Sequence, residues 1–175
     1  AKYHKLPVSR EEVTVEEPIF GLDTVREGEP VLITEGIADA ITAHQAGYAC
    51  VSPVTTSFKK TDRERLVEVL ETRGVPRVYI IQDAERATSD VVADRDGWDA
   101  LNVEQHGEGV KGAVRTAEYL AEHGVDARVG TLPRPGLDKV DLDDYLTDWS
   151  GDLRPVLAGA VPPAHHPAHD PGDTR

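Results

Sequence analysis

The chain has 175 residues and a mass of 19.0 kDa, enough for one domain with a core of its own and too little for two large lobes. Its 32 acidic residues outnumber 19 basic ones for a formal charge of -13, which argues against a free-standing polyanion-binding surface, while 39% hydrophobic content keeps the chain in the globular range. The single cysteine, Cys50, excludes an internal disulfide framework and a cysteine-rich zinc ribbon, and no apolar run approaches the roughly 18 residues that span a bilayer, so we expect a soluble protein of a reducing cytoplasm.

Two further features of composition set expectations. Methionine is absent and the first residue is Ala1, so a chain cut from something longer is expected. Lysine occurs only at Lys2, Lys5, Lys59, Lys60, Lys111 and Lys139, the other basic residues being arginine. Many carboxylates with few lysines suit a salt-rich, halophilic cytoplasm, where screening removes most self-repulsion.

Along the chain, residues 1–30 carry Pro7, Pro18, Gly21, Gly28 and Pro30 with little periodicity, and predict an extended arm with a short hairpin at most. Val31 to Thr34 is a short β-branched run, and Ile37, Ala40, Ile41 and Ala43 recur at helical spacing up to Gly47. Tyr48 to Val51 predicts a second strand and Ser52 to Ser57 a turn. Thr61-Asp62-Arg63-Glu64 predicts a capped start for a helix carrying Leu66, Val67 and Leu70 to Gly74. Val78 to Ile81 is a third strand that stops on Gln82-Asp83. From Arg86 to Glu108 the sequence turns polar and reads as a long insertion, after which Gly109 to Gly124 is a helix and Ala127 to Leu132 a fourth strand. A short helix ends at Trp149, and from Val161 the Pro, Ala, His and Asp composition predicts a disordered tail.

Apolar strands alternating with helices predict an α/β sandwich around a central, mostly parallel four-stranded sheet. In such sheets the functional crevice lies beyond the carboxyl ends of the strands. The residues there are Glu35 after the first strand, Asp83 and Glu85 after the third, and Asp141 with its neighbours after the fourth. Carboxylates converging at one sheet edge repel one another unless a cation sits among them. All-oxygen ligation is what Mg²⁺ or Mn²⁺ takes, and neither His nor Cys is placed to suggest zinc. Asp39 lies four residues after Glu35 on the same helical face, suited equally to an outer-shell role or to a salt bridge. Lys59 and Lys60, and Lys111 with Arg115, are the basic residues that could meet a nucleic-acid backbone or simply be solvated helix starts. His165, His166 and His169 read as an incidental cluster in the tail, and Cys50 as core packing.

Val31-Leu32-Ile33-Thr34-Glu35-Gly36, then Asp39, Ala43 and Gly47, then Ile81-Gln82-Asp83-Ala84-Glu85, then Lys139-Val140-Asp141-Leu142-Asp143-Asp144-Tyr145-Leu146, resemble the ordered motifs of a TOPRIM domain. That Rossmann-like fold is shared by bacterial-type primases, topoisomerases, recombination mediators and some nucleases. The resemblance spans roughly residues 2 to 150 and is strongest to the DNA primase and primase-helicase branch, whose lead-in segment is similar to Lys2-Tyr3 and Ile19-Phe20-Gly21-Leu22. It implies an arm over 1–30, a TOPRIM domain over 31–150 and a flexible tail over 151–175. It also implies a metal site of Glu35, Asp83, Glu85, Asp141 and Asp143 holding one or two Mg²⁺ or Mn²⁺ ions, with Glu35, Asp83 and Asp141 as catalytic residues. The activity implied is nucleotidyl transfer in RNA primer synthesis, with nucleic acid and nucleotides engaged through flanking primase or helicase domains. Two departures stand out: the usual Asp-x-Asp reads Asp83-Ala84-Glu85, and the connection 86–108 is longer than usual. A metal-dependent nuclease and a non-catalytic docking module are the alternatives.

Overall fold

The computed structural model describes residues 19–53, 58–85, 108–134 and 139–169, with Glu85 and Glu108 described for their backbone. The arm before residue 19, most of the predicted turn at 52–57 and the insertion at 86–107 lie outside the described residues. In chain order the elements are β1 (Val31–Ile33), α1 (Ile37–Gln45), β2 (Cys50–Val51), α2 (Lys60–Thr72), β3 (Val78–Ile80), β4 (Ala84–Glu85), α3 (Glu108–Glu122), β5 (Ala127–Val129), β6 (Lys139–Val140), α4 (Leu142–Thr147) and α5 (Leu153–Ala158).

Four strands form a wholly parallel sheet in the order β2-β1-β3-β5, as the α/β reading expects. Residues of β1 alternate between two cores because successive side chains of a strand point to opposite faces. Val31 and Ile33 join Val78, Ile80, Ala127 and Val129 beneath Leu66 and Leu70 of α2 and Ala113, Ala117 and Leu120 of α3. Leu32 joins Cys50, Ile81 and Val140 beneath Ala40 and Ala43 of α1, Leu142 and Tyr145 of α4, and Leu153 and Val156 of α5. Both faces are covered, which is why the strand reads as an unbroken apolar run. Burial pushes the Cys50 thiol up to about 12, so it stays protonated and acts as a small apolar side chain.

The connection through α1 carries the chain from β1 out to β2, and the one through α2 returns it past β1 to β3 on the other face of the sheet. β1 and β3 are therefore neighbours whose connections leave in opposite directions, the arrangement that opens a crevice at their carboxyl ends. Helix α2 begins at Lys60 with Lys59 ahead of it and no side-chain cap, so the capping box expected at Thr61 does not form; Thr61 is already one residue inside the helix.

Three short elements depart from the sequence reading. β4 and β6 pair antiparallel as a second, two-stranded sheet, Ala84 opposite Val140 and Glu85 opposite Lys139, where a loop is expected to open. The end of the predicted arm is held down: Phe20 and Ser52 exchange both backbone hydrogen bonds (2.9 and 3.0 Å) beyond β2. The region expected to be a flexible tail is ordered as far as His169. Leu153 and Val156 are buried one turn apart on α5, and Val161 pairs antiparallel with Val129 on the outer strand β5 (2.8 and 3.1 Å). His166 is buried: its Nδ1 accepts the Ala168 N–H (3.1 Å), which leaves Nε2 to donate to Thr131 Oγ1 (3.2 Å). His169 Nδ1 lies 2.7 Å from Glu118 Oε1, so the histidines anchor the segment separately.

α4 is held against α1 by polar bonds as well as by Ala40, Ala43 and Leu142. Thr42 Oγ1 donates to Asp143 Oδ1 (2.7 Å), and the Asp143 N–H donates to Asp39 Oδ1 (3.1 Å). Asp39 Oδ2 also accepts the Gly36 N–H (3.2 Å) at the start of α1. One carboxylate thus bonds the first turns of two helices.

Thr42→Val keeps the shape and helix propensity of the side chain while removing its donor. The substitution should cost about 1 to 2 kcal/mol in urea denaturation, with Thr42→Ser much closer to wild type. Cys50 should react with a thiol reagent such as dithionitrobenzoate only as fast as the protein unfolds; rapid labelling of the native state would contradict its burial.

Candidate metal and nucleotide-transfer site

Glu35 sits in the bend directly after β1 and is half-buried. Its carbonyl oxygen accepts the Ser52 hydroxyl (2.9 Å), which ties the bend to the residue following β2. Asp83 lies three residues beyond the end of β3 and is only 8% exposed. The start of α3 closes over both: a Cβ added to Gly109 would lie 2.9 Å from the Asp83 carbonyl oxygen and 3.6 Å from Glu35 Oε2. Only a residue without a side chain lets the helix approach this near.

Asp141 is the N-cap of α4, its Oδ1 accepting the Asp144 N–H at 2.7 Å. Asp143, two residues on, is bonded through its carboxylate to Thr42 and through its N–H to Asp39. Glu85 is placed by its backbone on β4, opposite Lys139. Lys139 Nζ forms an ion pair with Asp83 Oδ2.

The charge at this edge is legible in Asp39, a buried carboxyl pushed up to about 6. Burial is the main cause; the Asp143 N–H pulls the other way, and repulsion from Asp83 and Asp141 pushes further up. Asp83, Asp141 and Asp39 therefore share one electrostatic neighbourhood, with Asp143 joined to it by hydrogen bonds and Glu35 by way of Gly109. Among the described residues no three His, Cys, Asp or Glu side chains stand close enough together to hold a metal ion as they are. The predicted ligands are instead engaged in the fold: Asp83 with Lys139, Asp141 as a cap, and Asp143 with Thr42.

Asp39, for which the sequence left two roles open, links the starts of α1 and α4 by accepting the Gly36 and Asp143 N–H groups. Lys139 was not singled out by its sequence context, since one lysine ahead of an acidic run reads as a solvated residue; its place opposite Glu85 depends on the β4–β6 pairing. Thr42 and Gly109 were likewise hidden, as polar and small residues inside helices that periodicity alone does not distinguish.

Lys59, Lys60, Lys111 and Arg115 are exposed. Lys59 and Lys60 stand at the start of α2, and Lys111 in the first turn of α3, with Arg115 one turn further on. Helices that follow parallel strands begin at the carboxyl edge of the sheet, so these starts share the edge of Glu35 and Asp83. Arg63 of α2 lies over the Tyr119 ring of α3, 5.4 Å from its centroid, and joins the two helices that carry these residues. The opposite edge is closed differently: Arg77, Asp126 and Arg128 pair there at 2.6 and 3.0 Å. Among the described residues no helix is long and apolar enough to cross a membrane.

No protein-family model matches the sequence, and no curated protein does. Among solved structures, the crystal structure of the Aquifex aeolicus primase, comprising zinc-binding and RNA polymerase domains, is similar with a TM-score of 0.52 and 18% sequence identity. The likeness covers 81% of this chain and 28% of that one. At this identity it is a likeness of fold: the α/β arrangement of this chain also occurs within that primase structure.

Proposed function

We propose that this chain is a TOPRIM unit of a primase-like DNA replication protein, working with divalent metal in nucleotidyl transfer for RNA primer synthesis. The observation that carries the reading is that Glu35 and Asp83 follow the adjacent parallel strands β1 and β3, on an edge where Asp39, raised chiefly by its burial, also feels the charge of Asp83 and Asp141. The likeness to a primase fold and the motif order support the same assignment.

The donor type, though not the present spacing of the side chains, suits a hard divalent ion. Every available donor is a carboxylate oxygen, the donor type that Mg²⁺ and Mn²⁺ take, and Asp83 already holds a cationic partner in Lys139. Glu35, Asp83, Glu85, Asp141 and Asp143 would hold one or two ions, which when bound would neutralise phosphate charge and stabilise the attacking and leaving oxygens. Glu35, half-buried beside the start of α3, would also accept the proton of the attacking hydroxyl. Asp39 and Thr42 would hold the Asp143 turn in place. Lys59, Lys60, Lys111 and Arg115 would line the path of a nucleic-acid backbone, and flanking primase or helicase domains would supply the rest of the template surface. Alone the chain should be inactive or very weak. The acidic surface and scarce lysines fit a cytoplasmic protein of a halophilic source.

Calorimetric titration with MnCl₂ tests the site. Wild type should bind, and Asp83→Asn with Asp141→Asn should weaken binding by about tenfold or more; asparagine also caps helices, so α4 should survive the change. Equal binding by both proteins would remove the metal assignment. Cleavage of plasmid or RNA by the isolated chain with Mn²⁺, lost in Glu35→Gln, would move the reading to a nuclease. The thermal midpoint should rise between about 0.1 and 1 M KCl, as the screening length falls from about 10 to about 3 Å; a flat response would count against salt adaptation.

A further inference from the structure

Arg63 sits where an arginine is costly to keep. It shares the inward face of α2 with Leu66, Val67 and Leu70, and its Nε is buried without a hydrogen-bond partner. A buried donor left unmet is destabilising, more so when it belongs to a charged group. In a chain with 32 acidic residues against 19 basic ones a carboxylate partner is easily supplied, and Arg26, Arg77, Arg128 and Arg154 each hold one. Arg63 holds none among the described residues; its guanidinium carbon lies 5.4 Å from the centroid of the Tyr119 ring on α3. We propose that Arg63 is kept for a phosphate group, which it binds where α2 meets α3, with Lys59, Lys60 and Arg115 around it. The inference adds an anchor to the nucleic-acid side of the reading above and is independent of the metal site.

Position and chemistry point to the same ligand. Lys59 and Lys60 precede Arg63 by one helical turn, and Arg115 precedes Tyr119 by one turn, so further cations flank the contact between the two helices. Lys59, Lys60 and Arg63 stand together at the start of α2, which has no side-chain cap, and a helix start attracts anions and disfavours cations. That arrangement is unfavourable by itself and becomes favourable once a multiply charged anion is bound. The nearby acids are turned elsewhere. Asp62 and Glu64 adjoin Arg63 in the chain and so leave the helix on other sides, and Glu118 is bonded to His169. Tyr119 steadies the guanidinium through its ring and uses none of its N–H donors. The side chain as a whole is half-buried, so the guanidinium can turn its fork to phosphate oxygens arriving from solvent. A nucleic-acid backbone and a free polyphosphate share this chemistry, and the experiment separates them.

The test uses the full 175-residue chain with EDTA present, so that no metal ion contributes. Fluorescence anisotropy follows a labelled oligothymidylate in about 50 mM KCl, and calorimetry follows inorganic triphosphate. Wild type should bind at least one of them. Arg63→Gln and Arg63→Met should weaken that binding about fivefold or more, and Arg63→Lys, which keeps the charge but not the planar fork, about threefold. Without ligand, Arg63→Met should melt no lower than wild type, since the unmet donor is gone and an apolar stem remains. Circular dichroism checks each fold, and Arg63→Lys carries the comparison if a neutral variant fails to fold. Weakened oligothymidylate binding identifies a nucleic-acid backbone as the source of the phosphate; weakening confined to triphosphate identifies a free polyphosphate. No binding of either probe by wild type, or equal binding by wild type and the variants, overturns the proposal. So does a lowered melting point in Arg63→Met with binding unchanged, which is the mark of a structural arginine. Loss of the metal site leaves these outcomes untouched.

Discussion

Negative charge gathered at the carboxyl edge of a parallel sheet has to be neutralised, and much of this fold is arranged around how that is done. The strands are short and apolar, so the polar groups that follow them are the first residues free to meet solvent. Here the first carboxylates after adjacent strands are Glu35, half-buried, and Asp83, buried, on connections that part on opposite faces of the sheet. The start of α3 approaches both through Gly109, Lys139 pairs with Asp83, and Asp39 holds its proton more tightly, through burial first and then repulsion from Asp83 and Asp141. Each device lowers the cost of the same local excess of carboxylates.

The Asp141–Asp143 turn is brought to this edge by packing rather than by strand topology. Leu142 and Tyr145 bury the inner face of α4 against α1, and the small side chains Ala40 and Ala43 let the two helices meet. The polar bonds of Thr42 and Asp39 then set which way the turn faces. A carboxylate used in this way is costly to bury, and its place between two helix starts is repaid by backbone donors that would otherwise lack partners. The separation of tasks is clear: apolar contacts fix the distance between α1 and α4, and hydrogen bonds fix their orientation.

Much of the scaffold was legible in the sequence because long elements repeat their signal. Ala40 with Ala43, Leu66 with Leu70, and Ala113 with Ala117 and Leu120 recur at helical spacing, and they are the residues that pack on the sheet. Val31-Leu32-Ile33 is legible for the same reason, as a run buried on both faces. The β4–β6 pair was not, since two residues contain no period and their partners lie 54 or more positions apart in the chain. The order beyond Gly151 was hidden by composition: Pro163 and His166 look like tail residues until His166 is given a donor and an acceptor inside the fold. At the site, sequence order picked out the carboxylates by type and position, whereas the partner of each, Lys139 for Asp83 and Thr42 for Asp143, depends on long-range packing that no local pattern encodes.

The bridges at the two outer strands carry a consequence for assembly. Ser52, just beyond β2, is paired with Phe20, and Val129 of β5 is paired with Val161. Among the described residues the sheet therefore presents no long, unprotected strand on either side to which an extended peptide could add by backbone hydrogen bonding. The same caps that suppress edge-to-edge aggregation remove strand addition as a mode of recognition along those strands. Whatever this domain meets there must be recognised by side chains and shape, which directs attention to the helix starts and the acidic crevice between them.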